Sequence, residues 1–137
     1  MTQPQRGLLD TSTVILLGRI EQADSLPDEL SISAVTIAEL SVGPLVARDD
    51  RDRAARQAHL QQAEADFEPL PFDAASARAF GQVAAALHGA GRKPAARSYD
   101  ALIAAIALAN DLPIVTANPK DFDGIPGVSV IPVTIPA

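Results

Sequence analysis

The run SYDALIAAIALANDLPIVT, residues 98–116, joins the most apolar helix of the chain to a strand. Residues 99–110 are apolar on nearly every side, a pattern that places a helix in the interior rather than on a surface. Ser98 precedes them as an N-cap, and residues 112–116 read as the strand that follows. Working towards the N-terminus, residues 73–88 form a long helix that Gly89, Gly91 and Pro94 bring to an end. Residues 69–72 are a short strand or extended link. Residues 49–67 are polar and helix-favouring, with Ala54, Ala58, Leu60 and Phe67 as the expected inner positions. A helix opens at Thr36 and runs towards Ala47, after a strand at 30–35. A short helix at 12–19 follows a strand at 6–9. Beyond the opening run, residues 128–133 form a last strand, which Pro132 pushes to a sheet edge. Strands alternating with helices predict an α/β fold with a mostly parallel sheet covered on both faces. In such sheets ligands bind at the carboxyl ends of the strands.

The 137 residues suit one domain, 1–137, and the 47% apolar content is enough for a core without staples. The absence of cysteine excludes disulfides, zinc–thiolate sites and thiol nucleophiles. The N-terminus lacks the pattern of a secretory leader, and the longest apolar run, 101–109, is too short to span a bilayer. The expectation is a soluble, cytoplasmic protein without a membrane partner. A net charge of −6 argues against a broad electrostatic footprint on nucleic acid. It is compatible with an enzyme whose acids cluster around bound cations.

Four acids fall at strand-to-helix switches. Asp10 follows Gly7-Leu8-Leu9 and is also a natural N-cap. Glu39 stands three residues after Thr36, and Thr36-Ile37-Ala38-Glu39 reads as a capping box, with one oxygen left to face the strand-end cleft. Asp100 opens the apolar helix, where Ser98 already serves as cap and a carboxylate costs desolvation unless it is paired or metal-bound. Asp121 follows Thr116-Ala117-Asn118-Pro119-Lys120, with Asn118 and Asp123 as alternatives for the same position. Clustered carboxylates repel, and a hard divalent cation relieves that repulsion: Mg²⁺, with Mn²⁺ as an alternative, fits oxygen ligands better than zinc. Such ions activate water and stabilise the leaving oxygen of a phosphodiester.

At these residues the sequence resembles the PIN-domain family, and within it the VapC-type toxins of bacterial toxin–antitoxin systems. The resemblance rests on Leu8-Leu9-Asp10-Thr11-Ser12, then Thr36-Ile37-Ala38-Glu39-Leu40 with Gly43. It continues through Asp100-Ala101-Leu102-Ile103-Ala104-Ala105 and Thr116-Ala117-Asn118 with Asp121-Phe122, in family order over nearly the whole chain. It implies a three-layer sandwich and an Mg²⁺-dependent ribonuclease. Asp10 and Asp100 would be the metal ligands, with Glu39 and Asp121 completing the catalytic acids. A homodimer and a cognate antitoxin that blocks the cleft are implied as well. Two departures stand out: Pro44 lies where the family keeps a helix and should kink or end it near Gly43, and position 118 is asparagine.

The resulting expectation is hydrolysis of phosphodiester bonds in structured RNA, leaving a 3′-hydroxyl and a 5′-phosphate. Ser12 and Thr116 are placed to hydrogen-bond a ligand carboxylate or to cap locally. Arg92, Lys93 and Arg97 read first as exposed loop charge, and as the alternative they are placed to hold RNA phosphates beside the acids. His59 and His88 share no motif, and a single tyrosine, Tyr99, offers no stacking platform for single strands. Two other readings compete. An aspartate-nucleophile phosphatase would want an acid two residues after Asp10, where Ser12 stands. A non-catalytic interaction domain would need the acids only as helix caps.

Overall fold

The computed structural model describes residues 5–20, 26–91 and 98–135. They form β1 (Arg6–Leu9), α1 (Thr11–Ile15), β2 (Glu29–Ser31), α2 (Ala34–Leu45), α3 (Asp50–Asp66), α4 (Ala74–Gly89), α5 (Ser98–Ala109), β3 (Ile114–Thr116) and β4 (Val130–Pro132). Tight 3-10 turns occur at Leu17–Arg19 and Pro119–Phe122. The strands make one sheet in the order β2-β1-β3-β4, and every pairing is parallel. Pro132 lies in an edge strand, where its missing N–H costs no ladder bond. The chain leaves β1 towards β2 on one side and returns through the helices to β3 on the other. The carboxyl ends of β1 and β3 therefore flank the point where strand order reverses.

Successive side chains of a strand face opposite sides, and each face of this sheet has its own core. Leu8 and Ile114 pack with Val83 and Leu87 of α4 and with Ala101, Ile103, Ala104 and Ile106 of α5. On the other face, Leu9 and Val115 pack with Ile32, Leu40 and Ala63, joined by Val14, Ile37, Leu60 and Phe67. The result is a three-layer sandwich. Every residue of α5 from Ile103 to Ala107 is at most 1% exposed, so the most apolar helix is the interior one. It ends at a Schellman turn: the Leu112 N–H reaches the Ala107 carbonyl (2.9 Å) and the Asp111 N–H reaches the Leu108 carbonyl (3.2 Å). Asp111 takes the left-handed conformation this turn requires, with φ 54°, and Leu112 folds back into the core.

Several boundaries differ from those expected. Helix α2 begins at Ala34, two residues earlier than expected. Its cap is Ser33, whose Oγ accepts the Thr36 N–H at 3.2 Å. Thr36 is therefore inside the first turn and Glu39 is in the second, so the capping box does not form. The cause lies upstream: β2 stops at Ser31, and the Leu70 N–H and carbonyl bond the Ile32 carbonyl (2.9 Å) and the Ala34 N–H (2.8 Å). That link presents Ser33 to the helix. Ser98 is the first residue of α5 rather than its cap. The 12–19 segment divides into α1 and a 3-10 turn.

Pro44 is buried within the last turn of α2, which ends one residue later at Leu45. Helix α3 is capped by Asp49 and carries an exposed ion pair of Arg53 with Asp50 (2.7 Å) and a part-buried one of Arg56 with Asp52 (3.0 Å) on the side facing α2. Its inner residues are Leu60, Ala63 and Phe67, whereas Ala54 and Ala58 are exposed. Among the described residues no helix is long and apolar enough to cross a membrane.

The seam between β1 and β3 is tight. A Cβ on Gly7 would lie 2.5 Å from Val115 Cγ2 and 3.0 Å from Pro27 Cγ. Gly7→Ala is expected to destabilise the chain by about 1–3 kcal/mol through overpacking. Gly81, in the exposed interior of α4 with nothing near its missing Cβ, should behave oppositely. Gly81→Ala is expected to stabilise by about 0.5–1 kcal/mol. Urea midpoints of the two variants check both signs, and a Gly7→Ala chain as stable as the parent would contradict this packing.

Candidate active site

At the carboxyl end of β1 the backbone turns into α1, and Asp10 caps the new helix. Its Oδ1 accepts the Thr13 N–H at 3.3 Å. Its Oδ2 accepts the Thr116 hydroxyl at 2.7 Å, a bond from the end of β1 to the end of β3. Asp10 is only 3% exposed, yet it is a carboxylate. Burial pushes its pKa above the ordinary value of 3.8, against the pull of the Thr13 and Thr116 donors, and the negative charge of Asp121 raises it further. The same two threonines hold the loop after β3. The Ala117 N–H donates to Thr13 Oγ1 (3.1 Å) and the Asn118 N–H to Thr116 Oγ1 (2.9 Å).

Glu39 reaches the same region from α2. Its Oε1 accepts the Thr11 hydroxyl at 2.6 Å. Partial burial raises its pKa above the ordinary 4.5, and the charge of Asp10 adds to that rise. Asp121 lies in the Pro119–Phe122 turn, half-buried, and its charge acts on Asp10. Of the other two candidates for its position, the Asn118 side chain donates to Ser12 Oγ (3.2 Å) and Asp123 is exposed. Asp100 is half-buried in the first turn of α5, a helix that packs against α2. Asp10, Glu39 and Asp121 are thus brought together electrostatically, with Asp10 as the shared member.

Among the described residues no three His, Cys, Asp or Glu side chains stand as a ready-made cation cage. The chemistry of the donor set nevertheless fits a hard divalent cation. It is made of oxygens alone, and its two desolvated carboxylates would be relieved by a positive charge.

Four hydroxyls were not legible as site residues in these roles. Thr13 and Thr116 hold Asp10, while Thr11 and Thr36 meet each other beside Glu39. Only Thr116 carried a prior signal. The signal for the others lay in the residues near each acid, because Thr11 directly follows Asp10, Thr13 stands three residues after it, and Thr36 stands three residues before Glu39. A cleft of about 450 Å³ opens beside Thr11 and Glu39, walled by Gly43, Arg56 and His59. The basic group of this cleft is Arg56, which bonds the Gly43 carbonyl (3.2 Å). Arg92, Lys93 and Arg97 lie outside the described residues.

The family model described as PIN domain matches residues 8–128. Ribonuclease VapC5 of Mycobacterium tuberculosis is 37% identical over 132 residues, 95% of each chain. Ribonuclease VapC of Rickettsia bellii is 30% identical over 131 residues, 93% of this chain and 96% of that one. The crystal structure of VapBC-5 from Mycobacterium tuberculosis, a member of the VapBC family of toxin-antitoxin systems, superimposes with a TM-score of 0.78 at 36% identity. That match covers 94% of this chain and 99% of the other.

The pKa shifts set a sign for stability against pH. An acid whose folded pKa is raised keeps its proton in the native state where the unfolded chain has already lost it. Stability therefore falls as pH rises through that window, and the loss is constant above it. Both Asp10 and Glu39 act in this direction. In metal-free buffer Asp10→Asn should melt above the parent at pH 7, and the difference should close as pH falls towards 4, which scanning calorimetry at several pH values measures. Thr116→Val, which removes a donor from a buried carboxylate, should instead lower stability at pH 7 by about 1.5–3 kcal/mol in urea titration.

Proposed function

The chain belongs to the PIN-domain family, and on that premise we propose that it is the ribonuclease toxin of a toxin–antitoxin pair. It acts in the cytoplasm with Mg²⁺, or Mn²⁺ in its place, and hydrolyses phosphodiester bonds in structured RNA. The observation that carries this reading is the buried carboxylate of Asp10, desolvated at the strand-order reversal and within electrostatic reach of Glu39 and Asp121. A charge held there without a compensating cation is costly. The names of its relatives support the activity and the partner: two are ribonucleases, and one structural neighbour belongs to a toxin–antitoxin family.

In this reading Asp10 and Asp100 hold the ion, and Glu39 and Asp121 complete the acidic set. When bound, the ion supplies water activation and charge screening for the phosphodiester. The chain's own residues do the positioning. Thr116 and the Thr13 amide fix both oxygens of Asp10, so its carboxylate has a set plane. Thr11 fixes one oxygen of Glu39. The cleft beside Glu39, with Arg56 and His59 on its wall, receives RNA next to the acids. A cognate antitoxin covers this cleft in the inactive pair, and the toxin pairs with a second copy of itself.

Cleavage of a panel of structured RNAs is expected to require Mg²⁺ or Mn²⁺ and to stop on chelation. Asp10→Asn and Asp100→Asn should each lower the rate by about 100-fold or more. Variants as active as the parent would sink the metal-site assignment. Mg²⁺ at ten times its Kd should also stabilise the RNA-free chain by about 1.4 kcal/mol. An unchanged melting temperature at millimolar Mg²⁺, with no cleavage, would favour an interaction domain instead.

A further inference from the structure

Thr11 and Thr36 form a relay that ends on Glu39. Thr11 Oγ1 lies 2.6 Å from Glu39 Oε1 and 3.0 Å from Thr36 Oγ1. A hydroxyl has one proton to donate, and an ionised carboxylate can only accept. Thr11 therefore donates to Glu39, and its contact with Thr36 must run the other way, with Thr36 donating and Thr11 accepting. Thr36 is fully buried, whereas Thr11 and Glu39 are half-buried at the cleft. Because Ser33 caps α2, Thr36 is free of the capping role and its hydroxyl points across to α1.

We propose that Thr11 is a positioning residue for Glu39, and that Thr36 sets the direction of the Thr11 hydroxyl. A glutamate has three side-chain torsions and loses much rotamer freedom when it is held. An acid on the cleft wall would sample several of those states if Thr11 did not hold one oxygen. Thr11 directly follows Asp10, so the same turn that caps α1 with one acid supplies the donor for the other. The two carboxylates are thereby set relative to each other by Thr11 and Thr13 of α1, Thr116 of β3 and Thr36 of α2. A chain of hydroxyls polarises in one direction, and each bond strengthens the next. Removing the buried end of the relay should then weaken the bond at its exposed end. The consequence for metal and substrate rests on the proposed function, but the positioning of Glu39 does not.

The test compares Thr11→Val, Thr11→Ser and Thr36→Val in the metal-free full chain. Three-bond couplings from NMR report the Glu39 rotamers, and calorimetric melting reports the fold. Mn²⁺ titration followed by water-proton relaxation reports the metal. The parent and Thr11→Ser are expected to hold one dominant Glu39 rotamer. Thr11→Val should show averaged couplings at a preserved fold, with Thr36→Val in between. Mn²⁺ affinity should fall about 10-fold in Thr11→Val and recover in Thr11→Ser. Parent-like couplings in both valine variants would overturn the proposal. Averaged couplings with unchanged Mn²⁺ affinity would uphold the positioning and overturn any contribution of the placed Glu39 carboxylate to ion binding.

Discussion

The bond from Thr116 to Asp10 joins residues 106 positions apart and ties down, at the reversal of strand order, the one fully buried carboxylate among the described residues. A buried carboxylate without donors would be expelled or would carry its proton, because desolvation penalises the charged form. Here it is held by the first turn of α1 on one oxygen and by the end of β3 on the other. The register Leu9↔Val115 is what brings those donors together. A one-residue slip would turn Thr116 to the other face and exchange the two cores.

That register is enforced from both sides of the sheet. Leu8 and Ile114 enter one core while Leu9 and Val115 enter the other, so neither strand can move without exposing apolar side chains on one face and crowding the opposite one. Gly7 allows the close approach at the start of the seam. The Schellman turn after α5 then delivers β3 to it directly from the most buried helix. The site is therefore built where the two buried central strands end, while the cleft beside it is walled by the solvated helix α3. Catalytic geometry of this kind depends on side chains locked by their surroundings rather than on the acids alone.

Much of this was legible in the sequence because the relevant patterns are local. The all-round apolarity of 99–110 marked the interior helix, Pro132 marked the edge strand, and Asp10 was readable as the cap of α1. The start of α2 was misread for an equally physical reason. Ser33 and Thr36 are both good caps, and only the Leu70 link to Ile32 and Ala34, more than thirty residues away in sequence, selects Ser33. Ala54 and Ala58 were assigned inward from helical spacing. In a helix with so few apolar residues, the buried face is chosen by the neighbour it packs on, and α2 turns Leu60 and Ala63 inward instead.

By itself the sequence determined the order of strands and helices, the parallel α/β class and the acids at the strand ends. Each of these follows from periodicity or from contacts within a turn, which a short stretch of chain carries in full. Only the tertiary structure decided that Thr116 faces Asp10, that Thr11 stands between Thr36 and Glu39, and that the charge of Asp121 is felt at Asp10. Those pairings span 25 to 111 residues, by difference of the residue numbers. They exist because strand register and helix crossing bring distant backbones within hydrogen-bonding or electrostatic range, and no local pattern encodes which hydroxyl will meet which carboxylate.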